Sequence, residues 1–412
     1  MQFLEQQQNY SIMKYRFPSQ KLLLRDSSCP LDEHTLLCKG IKSLQYTVKV
    51  TANLFFLLLY LLSHRTLSSK KIHLTLQYCQ ELKNNHLNKL GRCLLKLANL
   101  THLTLEISNC NKISQKGVTL LFRSISKLKH LTSLHINLSG DYFLDDFGVQ
   151  SIYKSLSKIP RLKSLYLNFY SCLYLTDAGL GYISSSLSTI KSLQSLYLSF
   201  SLCRRITGKG LESLSTCLRN LRNLVEIDLN LSECPQLDSN MLQSLTQGIS
   251  NLPSIKYLKL KFSQCRFLSD ETIMNLSNSI KDLKGLKSLL LNFDQCTELT
   301  DASLHHLCSV LGEVQELKHL YLSFDSCLKI TDTGLNEIGN VCAELKKLSH
   351  ISISMPGCKE VSDVGLEKLK ESFDRVNKLE FILLNLYKTG VTNKGMAMFE
   401  ANFRKLDLHL QV

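Results

Sequence analysis

The residues best placed to do chemistry are cysteines, because they repeat. Cys79, Cys110, Cys172, Cys203, Cys234, Cys265, Cys296, Cys327 and Cys358 lie on a grid with a step of 31 residues. Asp141 fills the one gap, and Thr389 is the next point beyond. Thiols can bridge, bind a metal or fill a core. A metal needs several ligands converging on one point, whereas one thiol per unit forms a line, and the chain has no CxxC pair. The grid therefore predicts a small, weakly polar side chain buried in the same turn of every unit, each thiol free.

The other reactive groupings are weaker. His305 and His306, beside Cys308, form the densest histidine cluster, but neighbours on a helix diverge and would not share a ligand. Gly208-Lys209-Gly210 lacks the rest of a phosphate loop, and neither a nucleophile elbow nor a kinase signature set is present. No catalytic residue, cofactor or metal is expected, and the chain reads as a non-enzyme.

The grid extends to whole phrases, which define the elements that carry it. Leu162, Leu165, Leu167, Phe169 and Cys172 return 31 residues later as Leu193, Leu196, Leu198, Phe200 and Cys203. Leu165, Leu167 and Phe169, spaced by two, share one face of a strand. Leu180, Ile183 and Leu187 share one face of a helix, with Thr176 at its N-cap position and Asp177 in its first turn. Glycines 117, 148, 179, 210, 334 and 365 recur at the same helix start and would let it pack closely. Each unit is thus strand, turn, helix. No unit can bury its leucines alone, so the units stack in parallel around one continuous core. Helices are wider than strands, so the stack curves with the sheet inside. The expected fold is an α/β solenoid, a horseshoe or arc, with a parallel sheet on the concave face and helices on the convex face.

That makes the 412 residues one array rather than the two or three domains their number suggests. With 44% apolar and 20% charged residues, wholesale disorder is excluded. Residues 1–18 read as a tail, 19–68 as irregular capping repeats, 69–402 as regular repeats and 403–412 as a capping strand. Leu22, Leu24, Cys29, Leu31 and Leu36 look like a degraded first unit, and Leu44, Tyr46 and Val48 like the next strand. Leu406, Leu408 and Leu410 alternate like a last one. The longest apolar run, nine residues from Leu54 to Leu62, is too short to cross a bilayer and reads as a buried cap helix, with a membrane- or partner-docking segment as the alternative. A start containing Glu5 and three consecutive glutamines fits no secretory or transit signal. A cytoplasmic location is expected, with the nucleus as the alternative, and no membrane contact.

The phrase LKSLYLNFYSCLYLTDAGL, residues 162 to 180, resembles the leucine-rich repeats of the ribonuclease-inhibitor-like and cysteine-containing types. The resemblance covers roughly residues 69 to 402. The period of 31 is slightly long for such repeats, and Cys172 stands later after Leu167 than in the common pattern. The resemblance implies a general binding scaffold. It also raises two more specific roles known among such proteins: the substrate-recognition subunit of a ubiquitin ligase, and a GTPase-activating or inhibitor protein. Leucine-rich units that begin near residue 22 leave no room for an F-box ahead of them.

The 49 lysines and arginines against 35 acids give a net charge of +14. Asp177, Asp301, Asp332 and Asp363 stand at helix starts. Lys129, Arg161, Lys191, Arg222, Lys284, Lys347 and Lys378 stand after helix ends. This matches the helix dipoles and predicts an acidic rim and a basic rim, the latter suited to steering an acidic partner. A nucleic-acid-associated role has only the charge behind it, with no recognisable binding module. On the concave face, one outward row includes Tyr166, Tyr197, Asp228, Lys259 and Tyr321. Its neighbours include Asn168, Asn230 and Asn292 on one side and Tyr257, His319 and His350 on the other. Rings and amides on a rigid surface suit recognition of a protein, so the expected function is a monomeric interaction scaffold.

Overall fold

The structure is a computed structural model that describes residues 21–24, 43–48, 70–76, 78–79, 81–140, 144–376, 378–403 and 407–411, the first two segments as backbone only. Cys29, Leu31, Leu36, Leu54 to Leu62, Asp141 and Leu406 lie outside the described residues. Among the described residues the strands form one parallel fourteen-stranded sheet whose order is chain order, from Lys21–Leu24 and Ser43–Val48 to Asp407–Gln411. From Lys71–Leu76 onward, each strand but the last is followed by a helix, Asn84–Leu94 being the first and Asn393–Asn402 the last among the described residues. This is the leucine-rich-repeat-like α/β solenoid that the repeated phrases predict. Among the described residues no helix is long and apolar enough to cross a membrane.

The alternation within a strand decides which way each side chain points. Leu165, Leu167 and Phe169 are buried, as are Leu180, Ile183 and Leu187 on the facing helix. Register follows from the period, since Leu165 pairs with Leu196 and Leu289 with Leu320. Each apolar residue therefore lies beside its own counterpart. The phenylalanines after the strands stack in two runs broken by Leu231, with ring centroids 5.6 Å apart for Phe169 and Phe200 and 5.4 Å for Phe262 and Phe293.

The cysteine grid has a more specific reason than size. Cys203 Sγ donates to the carbonyl of Phe169 at 3.2 Å, Cys234 to that of Phe200 at 3.3 Å, and Cys296 to that of Phe262 at 3.3 Å. A thiol is small enough to be buried there and still donates weakly to a carbonyl of the preceding repeat. The residue just before each cysteine takes a left-handed backbone conformation, with φ of 61° at Ser171, 63° at Leu202 and 58° at Glu233. Non-glycine residues rarely accept this conformation. Here the amide is tied to the next repeat, Ser171 N donating to Ser201 O at 2.9 Å and Leu202 N to Ser232 O at 3.0 Å.

The helix starts correct one expectation. Thr176 does cap its helix, its Oγ1 accepting from Ala178 N at 3.2 Å. The aspartates that follow the caps do not form an open acidic rim. Asp177 accepts from Thr207 N at 2.7 Å and from Thr207 Oγ1 at 2.6 Å. Asp301 accepts from Thr331 N at 2.9 Å, Thr331 Oγ1 at 2.7 Å and Gly334 N at 3.1 Å. Asp332 and Asp363 do the same for Ser362 and Thr392. Each carboxylate thus completes the cap of the next repeat. Glycine keeps the approach close at Gly334, where a Cβ would lie 2.6 Å from Asp301 Oδ1, whereas opposite Asp270 the same position is Ser303, whose hydroxyl donates to the carboxylate.

Two outcomes follow. Asp301→Ala strips the acceptor from three donors at one joint and should lower stability by about 2 kcal/mol, whereas Glu298→Ala, which breaks only an exposed pair with Lys329, should cost about 0.5 kcal/mol. Equal shifts in urea midpoint would refute the joint. Burial pushes the Cys203, Cys265 and Cys358 thiols up to about 12. Alkylation of the native protein should therefore be slow at these sites. After denaturation without reductant, peptide mapping should find the cysteines from Cys203 to Cys358 on the grid fully alkylated, and a bridge between neighbours would contradict the ladder.

Candidate functional site: the concave face of the sheet

Between the buried leucines, each five-residue strand turns three side chains toward the concave face. In the central column, His135, Tyr166 and Tyr197 stand in register on consecutive strands. Their rings stack face to face, with centroids 3.6 Å and 3.8 Å apart and planes within 6° and 3° of parallel. Unconstrained ring pairs prefer larger, offset separations of about 4.5–7 Å. The parallel register, repeating one position on each strand, imposes the closer arrangement.

The stack is half-buried, and this sets its charge state. Burial, with Tyr197 and Asp228 contributing, holds the Tyr166 phenol far above its ordinary range, and burial with Asp228 raises Tyr197. Both remain neutral donors at physiological pH. Burial pushes His135 down to about 4, His73 adding to the effect and Glu106 opposing it. The stacked imidazole is therefore neutral. Glu106, 3.4 Å from His73 Nε2, is held below the usual carboxylate range by its hydrogen bond with His73, against the cost of burial.

The stack ends at a charged cluster. Asp228 is only 8% exposed, so it is a buried group and not the open recognition residue that the strand alternation suggests. Its expected partner Lys259 lies 4.0 Å from Oδ2 and equally far from Glu226, while Lys261 approaches Oδ1 at 3.4 Å. Lys261 also reaches over the Tyr197 ring, 6.0 Å from its centroid. Two acids and two lysines leave the cluster formally neutral. Tyr257 stands beside Glu226 on the next strand, half-buried.

A second ring cluster lies toward the C-terminal end. His319 meets His350 edge-on at 4.6 Å and Tyr321 at 6.4 Å, and His350 stacks on Phe381 at 5.7 Å. Burial, then His350 and Lys318, lower His319, and burial raises Tyr321. Four strand intervals separate this cluster from Tyr197, about 19 Å at a strand spacing of about 4.8 Å. The structure does not gather the candidate residues into one spot.

Asn168, Asn230 and Asn292 have a local job. Their Oδ1 atoms accept from the amides of Tyr170, Ser232 and Asp294 at 2.9, 3.0 and 3.1 Å. Each closes the turn that leaves its strand, which is the reason for asparagine at that position. His135 and Lys261 were the residues that sequence reasoning passed over. Both stood in the outward rows, and a ring one repeat before Tyr166 was the available signal. Among the described residues, no three His, Cys, Asp or Glu side chains are grouped so as to hold a metal ion.

The sequence matches no protein-family model and no curated protein. Among solved structures, the chain is similar to one described as the crystal structure of the Rad7 and Elc1 complex in yeast. The TM-score is 0.55 at 18% identity, covering 87% of this chain and 82% of that one. At this identity the likeness concerns the fold.

The depressed His135 gives a pH signature. The unfolded chain binds a proton at His135 near its ordinary pKa of 6.5, and the folded chain only near 4. Between these values the unfolded state holds more protons, so this group's contribution to stability is complete above pH 6.5 and falls as pH drops toward 4. His135→Phe keeps a ring in the stack and removes the titration. Urea midpoints should fall less between pH 7 and pH 4.5 in this variant than in the wild type, and identical slopes would rule out a buried neutral imidazole.

Proposed function

We propose that this chain is a non-catalytic interaction scaffold that binds a partner protein through the concave face of its sheet. One observation carries the reading: a column of half-buried rings, His135, Tyr166 and Tyr197, stands on the concave side of the sheet, opposite the leucine core. Rings held rigid by their neighbours lose little freedom on binding and offer large contact area. Lys261 and the two phenols supply polar contacts beside them. The neighbour of similar fold is described in complex with another protein, Elc1, which is consistent with a protein partner here. The repeat type we assign is the ribonuclease-inhibitor-like, cysteine-containing one, on the strength of the thiol in each turn. We place the protein in the cytoplasm or nucleus, where thiols stay reduced.

The test is Tyr166→Ser combined with Tyr197→Ser. Loss of the two ring pairs should cost about 1–3 kcal/mol of stability beyond the ring area exposed, leaving a fold held by its leucine core. Binding of partners recovered by affinity purification with the wild-type chain should weaken by about 2 kcal/mol or more. Unchanged binding by the folded double variant would overturn the concave-face reading.

A further inference from the structure

The edge of the sheet at which the strands begin is also the edge at which the helices end. Over six consecutive repeats this edge is built from the loops 95–102, 126–133, 157–164, 188–195, 219–226 and 250–257. These loops carry ten lysines and arginines and one carboxylate, Glu226, a formal +9. All ten cations are exposed. Among the described residues, no ion pair reaches any of them. The next repeats behave differently: Lys281 and Lys284 pair with Glu313, and Lys347 pairs with Glu316.

Helix-end compensation accounts for part of this charge. Lys129 Nζ donates to the carbonyls of Ser126 and Lys158, and Lys191 Nζ to that of Asn220. Six helix C-termini contribute about −0.5 each, about −3 together, which leaves most of the positive charge uncompensated. Inside the edge runs a row of half-buried serines, Ser133, Ser164 and Ser195. Five strand intervals make a track of about 24 Å, the length of about seven extended residues.

We infer that this edge is a docking track for an acidic polypeptide segment, its carboxylates meeting the lysines and arginines of loops 95–102 to 250–257 and the serine hydroxyls inside them. The observations favour a polypeptide over nucleic acid. The only Phe, Tyr or Trp in the six loops is Tyr257, on the concave face, and the one exposed ring on the edge is His130, so the edge has no run of rings on which successive bases could stack. The loops are tight turns, with no helix or ribbon projecting from the edge to enter a groove.

The experiment uses the full chain and a labelled poly-glutamate peptide, with single-stranded and duplex DNA of matched charge as competitors. One variant reverses Lys127, Lys158, Arg161 and Lys163 to Glu. The other reverses Lys116, Lys209, Lys368 and Lys394, exposed residues of the convex helices, and so changes net charge equally. The edge variant should lose at least about tenfold in poly-glutamate affinity and the convex variant less than about threefold, with both DNAs binding more weakly than the peptide to the wild type. If the edge reversal does not fold, the same four residues changed to Gln should show a smaller loss in the same order. Equal losses in the two reversals would reduce the effect to bulk charge, and tighter DNA binding would assign the edge to nucleic acid. Either result overturns the proposal. Tyr166→Ser with Tyr197→Ser should leave poly-glutamate affinity unchanged, which separates the track from the concave face.

Discussion

Parallel pairing in a fixed register is the constraint on which this molecule depends. From strand Lys71–Leu76 to strand Phe381–Asn385, residue n lies beside residue n+31, about 4.8 Å away. Every position must therefore tolerate its own counterpart as a neighbour. Leucine and phenylalanine do so by packing, as in the Phe169–Phe200 column. Tyrosine and neutral histidine do so by stacking. Charged residues in the middle of the sheet do so only by alternation, as when Asp228 is followed by Lys259. Runs of like charge survive only at the edge, where water screens them. The distribution of residue types across the face follows from this rule.

The core was legible because it is written once per repeat. A grid of cysteines, alternating leucines and a helical spacing at Leu180, Ile183 and Leu187 each point to one element, and together they allow little but a solenoid. Interactions between repeats were less visible. Asp177 reads equally well as a dipole partner for its own helix, and only the placement of Thr207 in the next repeat shows what its carboxylate does. Asn168 reads as an outward amide until the amide of Tyr170 is seen to point at it. Alternation told which side Asp228 occupies but not its depth, which depends on how Lys259 and Lys261 fold over it.

The two surfaces proposed to bind differ in character. The concave face is neutral where its charges are densest and aromatic where they are absent, so it suits shape and contact area. The strand-start edge is hydrophilic and strongly positive, so it suits orientation and capture at a distance. Both are held by the same rigid strands, which fixes one relative to the other.

The joints between repeats point both ways, since the amides of Ser171 and Leu202 donate forward to Ser201 O and Ser232 O, while two others point back. The Cys203 thiol reaches back to the carbonyl of Phe169, and the cap at Thr207 reaches back to Asp177. A repeat thus takes acceptors for its thiol and its helix cap from its predecessor, and an acceptor for the amide before its cysteine from its successor. A unit that forms after the one before it finds both acceptors in place, whereas a unit that forms first must leave a thiol and a helix start waiting. The amide before each cysteine waits in turn for the unit that follows, so either order of assembly leaves a donor waiting and each repeat is tied to both its neighbours.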